Sequence, residues 1–397
     1  MTKYSKLFIF PLILVCYEIA LYLSNDAYLP ALPQIGLDFN TTTALVQQTL
    51  TLWFLGSCAT QLFLGPFCDR FGRRPVLIVG GLLFVLTTAV CAWTHDMNTL
   101  LIARLIQGAS IPSVIVAGYA TIHELFDQHA AIKTLAWMAS VTVLAPSFGP
   151  LAGGLVLIVL HWRWLFIILA IWALVAVLAL WWVMPETLSK QARQPLHLGR
   201  ILKQYFNVIR NPDFLIYTIM FCAAFGAMIM WICASPILVM NVFHYSVIMY
   251  GIFQALIFGC FIIGSRMVSF LLHRFNMNRI LLAGTLIALI SSILMPIFAI
   301  VQPTGLIPIV LTMMPVALGS GFIFPILNRL AIEASTEPMG MRVAIFATTM
   351  SLFATLGSFI ASFFGTNIIG FSCAVFGFIL IGTVMYGFQR KRAASLS

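Results

Sequence analysis

The stretch LFIFPLILVCYEIALYLSNDAYLP, residues 7–30, is long and apolar enough to cross a membrane, yet it contains two acids. A helix needs about 20 apolar residues to cross roughly 30 Å of hydrocarbon. An ionisable side chain inside that layer costs about 2.5–3.5 kcal/mol on insertion scales. Chains keep such residues where a proton, an ion or a charged substrate is handled. Glu18 and Asp26 are therefore the first candidate functional residues.

The composition of the whole chain extends this interpretation. The 397 residues are 61% hydrophobic and 8% charged, whereas an ordinary soluble domain is about 25% charged. Apolar runs of spanning length recur, and they are continuous rather than alternating, which favours helices over a barrel. The sequence predicts an all-α polytopic membrane protein with twelve transmembrane helices, near 7–29, 44–65, 75–95, 99–122, 131–157, 164–184, 213–240, 247–268, 279–300, 306–330, 342–366 and 371–388.

The net charge of +10 is explained by its placement. With these spans, nearly all Lys and Arg side chains fall on one side of the membrane, Arg163 falls on the other, and Arg104 lies inside a span. This bias marks the cytoplasmic side and places both termini there. We expect a multi-pass protein of the bacterial inner (cell) membrane, and no nucleic-acid partner.

The longest polar stretch lies near the middle of the chain and separates six spans from six. We predict an N-terminal six-helix half (1–184), a cytoplasmic linker (185–212) and a C-terminal half with a short basic tail (213–397). Two halves around a central cavity are a transporter design. The extracellular loops are too short for a soluble catalytic domain, so we expect no enzyme activity. The scattered cysteines form no C-x-x-C pair, and we expect no metal and no cofactor, with protons as the coupling ion.

The loop GPFCDRFGRRP (65–75) follows the second span. Gly65 would let two helices approach closely, and Asp69 would pair with an arginine or cap a helix and so close the cytoplasmic face. A loop that only fixes topology explains the arginines but not the glycines with the aspartate. The string resembles the G-x-x-x-D-R-x-G-R-R signature of the major facilitator superfamily, which predicts a cytoplasmic gate formed by Gly65, Asp69, Arg70, Gly72, Arg73 and Arg74.

The string RLIQGAS (104–110) places Arg104 inside the fourth span. Asp26 is the nearest acid by depth, so we predict that Arg104 pairs with Asp26 and that Glu18 has no partner. An arginine that extends to the interface is the alternative. Gln107 is expected to extend a polar path from Arg104. The string resembles the motif around the buried arginine of drug:proton antiporters.

A third string, APSFGPLAGG (145–154), contains a Gly-Pro dipeptide and small residues that permit tight packing. It resembles the antiporter motif of the exporter branch of the same superfamily, although a face that serves packing alone fits it too. The predicted motif residues are Pro146, Gly149, Pro150, Gly153 and Gly154.

Resemblance covers most of the chain. The strings YEIALYLSND (17–26), GYATIHELFD (118–127) and WICASP (231–236) are similar to MdfA-like multidrug antiporters, and SNDAYLPALPQI (24–35) is similar to Bcr/chloramphenicol exporters. The resemblance implies the major facilitator fold, proton and substrate binding by the two acids, and coupling by Arg104. It also implies a further acid near the gate, Glu124.

These patterns favour a proton-coupled multidrug efflux antiporter that exports lipophilic cationic and neutral molecules by alternating access. Its partners would be small-molecule drugs or metabolites, protons and the lipid bilayer, and the family expectation is a monomer. A dedicated exporter of one metabolite, such as a siderophore or a single antibiotic, is the alternative on the same fold. An intramembrane enzyme is a further class, but no HExxH, GxSG or paired-aspartate motif appears in the sequence. A channel or a signalling receptor is another, and counter-transport assays would decide. The predicted substrate cavity contains Tyr22, Asn25, Gln107, Tyr119, Met138 and Trp231.

Overall fold

The computed structural model describes residues 3–142, 144–189, 191, 193 and 198–396. Helices make up nearly all of this described chain, which contains no strand. The helices are α1 Lys3–Asp26, α2 Leu32–Asp38, α3 Thr43–Phe71, α4 Arg73–Trp93, α5 Met97–Ser110, α6 Tyr119–Leu125, α7 Gln128–Thr142, α8 Leu144–Val159, α9 Arg163–Val183, α10 Leu198–Arg210, α11 Pro212–Pro236, α12 Val247–Leu271, α13 Met277–Val301, α14 Ile307–Glu333, α15 Met339–Phe364 and α16 Ile368–Leu396.

Eleven helical stretches of the described chain are long and apolar enough to cross a membrane, and α8 is a shorter apolar helix. The predicted all-α polytopic fold is therefore confirmed. The fifth predicted span, 131–157, falls on α7 and α8, and residue 143 between them lies outside the described residues. The predicted linker contains α10, and its residues 190, 192 and 194–197 also lie outside the described part.

Two of the spanning stretches change their helical geometry at a proline. In the fourth span, α5 ends at Ser110 just before Pro112, and a π-helical turn, Val114–Gly118, leads into α6. In the seventh, α11 ends at Pro236 and continues as a second π-helical turn, Ile237–Val242. Proline removes a backbone donor and disturbs the helical ladder, and π turns concentrate at functional sites. Both turns are therefore local departures from regular helix inside membrane-spanning stretches.

The chain divides into two compact units, Met1–Thr41 with Leu52–Leu198, and Thr42–Thr51 with Gly199–Ser397. In the first unit, α4 packs against α9 and α5, while α1 packs against α9 and α8. In the second, α14 packs against α13 and α12, while α11 packs against α15 and α16. The predicted domain boundaries at 184 and 213 stay predictions.

The first residues of α3 belong to the second unit. The Gln47 side-chain amide donates to the Cys233 carbonyl oxygen at 3.0 Å. The hydroxyls of Thr51 and Ser358 lie 2.9 Å apart. These buried polar contacts fix the start of α3 in that unit, and the remainder of the helix packs in the first.

Candidate transport site

Glu18 is buried in the middle of α1 and has a hydrogen-bond partner. The Tyr119 hydroxyl, at the start of α6, donates to Glu18 Oε1 at 2.6 Å. The other carboxylate oxygen, Oε2, is buried and has no hydrogen-bond partner among the described residues. The prediction that Glu18 has no partner is therefore wrong. The depth of a residue in the membrane does not determine the direction of its side chain. The rotation of the fourth span about its axis brings Tyr119 to this acid.

Arg104 is fully buried and is held by neutral groups. Its Nη1 donates to the Ser24 carbonyl oxygen at 3.1 Å and to Gln107 Oε1 at 2.6 Å. Its Nη2 donates to Asn25 Oδ1 at 3.4 Å. The guanidinium carbon lies 4.7 Å from the centre of the Tyr28 ring, within the range of a cation–π interaction. Carbonyls, amides and a ring face thus stabilise this charge.

The predicted ion pair between Arg104 and Asp26 is absent from the described residues, and that prediction is wrong. Asp26 is buried, and its Oδ1 accepts a hydrogen bond from Asn25 Nδ2 at 3.3 Å. Asn25 therefore bonds to both groups and bridges them. The sequence placed the Arg104 and Asp26 side chains at similar depths, but each of them bonds to the Asn25 amide and not to the other.

The polar path extends beyond Arg104, as the spacing of Gln107 predicted. Gln107 Nε2 donates to the Thr88 hydroxyl of α4 at 2.6 Å, and Thr88 donates to the Phe84 carbonyl oxygen at 2.6 Å. All of these groups are buried. The result is a continuous hydrogen-bonded chain from the end of α1 through α5 to α4. Thr88 was not identified from the sequence, because a threonine in an apolar run gives no signal of its own.

Of the other predicted cavity residues, Tyr22 and Met138 belong to the first unit and Trp231 to the second. Tyr22 is half-buried on α1, and Met138 is fully buried on α7. Trp231 belongs to the second unit, where its indole N–H donates to Gln254 Oε1 at 2.5 Å. Gln254 in turn donates to the Tyr250 hydroxyl at 3.2 Å. A role of these side chains in binding substrate stays a prediction.

The predicted gate residues form a charged network in the first unit. Arg73 bonds to Asp69 at 3.0 Å and to Glu124 at 3.1 Å. Thr187 donates a hydrogen bond to Glu124. Arg74 Nη2 donates to the Trp181 carbonyl oxygen at 2.6 Å. The predicted pairing of Asp69 with an arginine is confirmed, and Arg73 joins it to the acid from α6.

Glu186 completes this network and was not identified from the sequence. Its carboxylate accepts hydrogen bonds from the backbone N–H groups of Arg73 at 3.1 Å and Arg74 at 3.3 Å, at the start of α4. An acid at a helix N-terminus meets unpaired donors and the positive end of the helix dipole. Gly72 precedes them with φ of 104°, and a Cβ there would lie 2.3 Å from Glu186 Oε2. Glycine is therefore required at this turn.

Arg70 and Gly65, the remaining gate residues, have simpler surroundings. The guanidinium of Arg70 lies 5.4 Å from the centre of the Phe71 ring. A Cβ added at Gly65 would meet no atom of the described chain within 4 Å. The predicted close helix approach at Gly65 is therefore wrong, because no element of the described chain lies within contact distance of an added Cβ there.

The glycines of the third motif do make the close approach. A Cβ on Gly153 would lie 2.0 Å from the Ala27 carbonyl oxygen, and one on Gly149 would lie 2.8 Å from Asp26 Cβ. Gly154 and Pro150 are also buried in α8, and Pro146 lies in its first turn. The small residues of α8 therefore let it pack directly on the chain segment that contains Asp26.

A second charged cluster lies at Asp38, the last residue of α2. Asp38 Oδ2 accepts from the Trp162 indole N–H at 2.8 Å and from Arg163 at 3.2 Å, and it lies 2.8 Å from His161 Nε2. Arg163 also donates to the Thr94 carbonyl oxygen at 2.8 Å. The cluster joins three connections of the first unit. It was not identified from the sequence, although the string HWRWLF contains three of its members.

Comparison with known proteins decides the family. The family model described as Major Facilitator Superfamily matches residues 14–358. The chain belongs to the Major Facilitator Superfamily. The multidrug resistance protein MdtM of Salmonella typhimurium is 32% identical over 96% of this chain and 94% of its own. The multidrug transporter MdfA of Yersinia pestis is 34% identical over 65% of this chain and 63% of its own.

A solved structure agrees with this membership at the level of the fold. It is that of a bacterial homologue of the human lysosomal transporter Spinster, and it superposes with a TM-score of 0.73 at 13% identity. The match covers 97% of each chain. The family match and this superposition together confirm the major facilitator fold that was predicted from the sequence. Among the described residues, no group of three or more His, Cys, Asp or Glu side chains is arranged to hold a metal ion.

Proposed function

We propose that this protein is a proton-coupled multidrug efflux antiporter that exports lipophilic cationic and neutral molecules by alternating access. The names of its relatives, a multidrug resistance protein and a multidrug transporter, support the substrate class. The observation that carries the proposal is the pair of buried acids on α1, each with a neutral hydrogen-bond partner. Such a pair costs stability inside a membrane, and binding a proton or a cation removes the cost.

The two acids differ in what they offer. Glu18 presents one oxygen to Tyr119 and leaves the other, Oε2, buried and free to accept. An unpartnered buried acceptor is costly, and a cationic or hydrogen-bonding drug would satisfy it. Asp26 lies at the α1 end of the hydrogen-bonded chain, and the neutral amide of Asn25 separates it from Arg104. In this proposal Glu18 meets the drug, and Asp26 takes the proton that enters from outside.

Exchange follows from competition between proton and substrate. When the acid is protonated, the protein changes between its access states with no net charge on the acid. When the acid is ionised, the protein makes this change only with a cation bound. The gate network of Arg73, Asp69 and Glu124 would close the cytoplasmic face while the site opens outward. We further propose both termini in the cytoplasm, the bacterial inner membrane as location, a monomeric state and protons as the coupling ion, with no cofactor and no enzymatic reaction.

Drug-dependent proton release from proteoliposomes tests the proposal. The double variant Glu18→Gln with Asp26→Asn should lose at least 90% of the release driven by tetraphenylphosphonium, because neither amide takes up a proton. The matched control is Glu333→Gln, which neutralises an exposed acid that pairs with Arg329. Release by the double variant at the level of this control would overturn the proton role of the two acids.

A substrate panel distinguishes a multidrug exporter from a dedicated exporter. A host without its own efflux systems would be challenged with lipophilic cations, neutral antibiotics and siderophores. Resistance to several unrelated compounds, lost in the double variant, is expected. Resistance to one compound alone would favour the dedicated exporter, while the proton assay would still report on exchange.

A further inference from the structure

The linker helix α10, with the sequence LGRILKQYFNVIR, packs on the protein with one stripe of side chains. Tyr205 and Val208 are buried, and Ile201, one turn earlier, is half-buried. The Asn207 side-chain amide donates to Glu337 Oε1 at 2.9 Å, and Asn211 donates to the Ala334 carbonyl oxygen at 2.8 Å. These contacts hold α10 against the connection between α14 and α15.

A second stripe of α10 is apolar and exposed. Leu202, Phe206 and Ile209 are 64%, 52% and 43% exposed. They are spaced by four and three residues, which places them on one face of the helix, next to the packed stripe. Three large apolar side chains in a row on a short helix are unfavourable in water. This face is therefore more stable in an apolar environment than in water.

Basic side chains border that apolar stripe on its other side. Lys203 and Arg210 are both exposed, and neither forms an ion pair within the described chain. The guanidinium of Arg210 lies 4.2 Å from the centre of the Phe206 ring, so its charge stays at the edge of the apolar stripe. Around the helix the order is packed, apolar, then cationic. An interfacial helix that meets anionic lipid shows this order.

The connection to α11 sets the depth of α10. Asn211 separates the two helices, and its side chain accepts from the backbone N–H groups of Asp213 and Phe214 and so caps α11. The stretch that starts at Pro212 is one of the membrane-spanning stretches. With 13 residues, α10 is only about 20 Å long and cannot itself span. Its C-terminal end, which joins α11, therefore lies near the level of the lipid head groups.

We propose that α10 lies in the membrane interface and binds anionic phospholipids of the cytoplasmic leaflet. The stripe Leu202, Phe206 and Ile209 inserts among the acyl chains, and Lys203 and Arg210 bind the lipid phosphates. The choice of leaflet rests on the proposed cytoplasmic position of the linker; the binding surface itself does not depend on transport. Each juxtamembrane basic residue contributes about a 5-fold preference for anionic lipid, so the two together give about 25-fold.

Photo-crosslinking of the full chain tests this proposal. Phe206→p-benzoylphenylalanine would be reconstituted in nanodiscs of phosphatidylcholine with 20% phosphatidylglycerol, irradiated and analysed by mass spectrometry. The expected product is crosslinked lipid in which phosphatidylglycerol is enriched about 4-fold over its share of the bilayer, close to the limit of about 5-fold that a 20% share sets. Crosslinks to a second copy of the chain, or none to lipid, would overturn the proposal.

Charge variants test whether anionic lipid binds to Lys203 and Arg210 in particular or is attracted by the basic protein in general. Lys203→Gln with Arg210→Gln should reduce phosphatidylglycerol in the crosslinked product to its share of the bilayer. Arg274→Gln with Arg279→Gln removes the same charge elsewhere and should leave the enrichment unchanged. Equal effects of both pairs would show a non-specific attraction and refute the site. The readout needs no transport, so a failed efflux assay would not affect it.

Discussion

Replacing Gly153 by alanine should disrupt transport, because α8 contacts the Asp26 segment at this residue. The added Cβ would lie 2.0 Å from the Ala27 carbonyl oxygen, whereas ordinary contacts begin at 3.4 Å. The two backbones must therefore separate by about 1.4 Å, the difference of these distances, or the helices must strain. Overpacking of this kind costs about 1–3 kcal/mol. Ala27 directly follows Asp26, so the shift also displaces the acid, and a 1 Å misplacement costs about 100-fold in a chemical step.

The assay compares drug-driven proton release and thermal unfolding in detergent for Gly153→Ala and Gly259→Ala. Gly259→Ala is a matched control, because a Cβ there meets no atom of the described chain within 4 Å. It lies inside α12, where alanine is favoured over glycine by about 0.5–1 kcal/mol. We expect release to fall by at least 10-fold in Gly153→Ala and to stay near the parent level in Gly259→Ala. Parent-level release and unfolding in Gly153→Ala would refute the close contact.

Three further substitutions test other contacts. Tyr119→Phe removes the hydrogen bond to Glu18, which is worth about 1.5–3 kcal/mol to a charged acceptor; drug-driven proton release should fall by about 10-fold, and parent-level release would contradict this. Glu186→Gln removes the charge at the start of α4 and should raise proton leakage without drug by several-fold, measured in the same liposomes; an unchanged leak would exclude a gate role. Asp38→Asn weakens the hydrogen bonds from Trp162 and its neighbours. The midpoint of thermal unfolding should fall by a few degrees, as expected for a loss of about 1 kcal/mol. An unchanged midpoint would show that the cluster adds no stability.

The spans and the gate pair followed directly from the sequence, because both depend on local information. A run of apolar residues determines a membrane helix by its length alone. Asp69 lies near the end of α3 and Arg73 begins α4, so the two residues are neighbours along the chain across the turn at Gly72. The small residues around Gly153 likewise predicted tight packing, although not the segment at Ala27 that this glycine meets. Each of these features is determined by residues near one another in the chain.

Contacts between distant residues required the structure. Glu186 follows the sixth span and still caps the start of α4, more than one hundred positions earlier. Gly65 belongs to a motif that suggests tight packing, yet no atom in the described part of the chain lies within 4 Å of a Cβ added there. A glycine permits a close approach but does not cause one. Tyr119 reaches Glu18 only because of the rotation of the fourth span. The sequence predicts which residues are polar and how deep they lie, but not the direction in which they point.

The bridging amide of Asn25 changes what the α1 site can do. A direct ion pair with Arg104 would stabilise the ionised form of Asp26 through Coulomb attraction, and proton uptake would have to break it. The two terminal nitrogens of the arginine instead donate to the Ser24 carbonyl and to the side-chain amides of Gln107 and Asn25, so these bonds hold its charge whether or not Asp26 carries a proton. Asn25 also has an amide that rotates to donate or to accept. Within the proposed exchange, Asp26 can then gain and lose its proton while Arg104 remains in place, which a fixed ion pair would not allow.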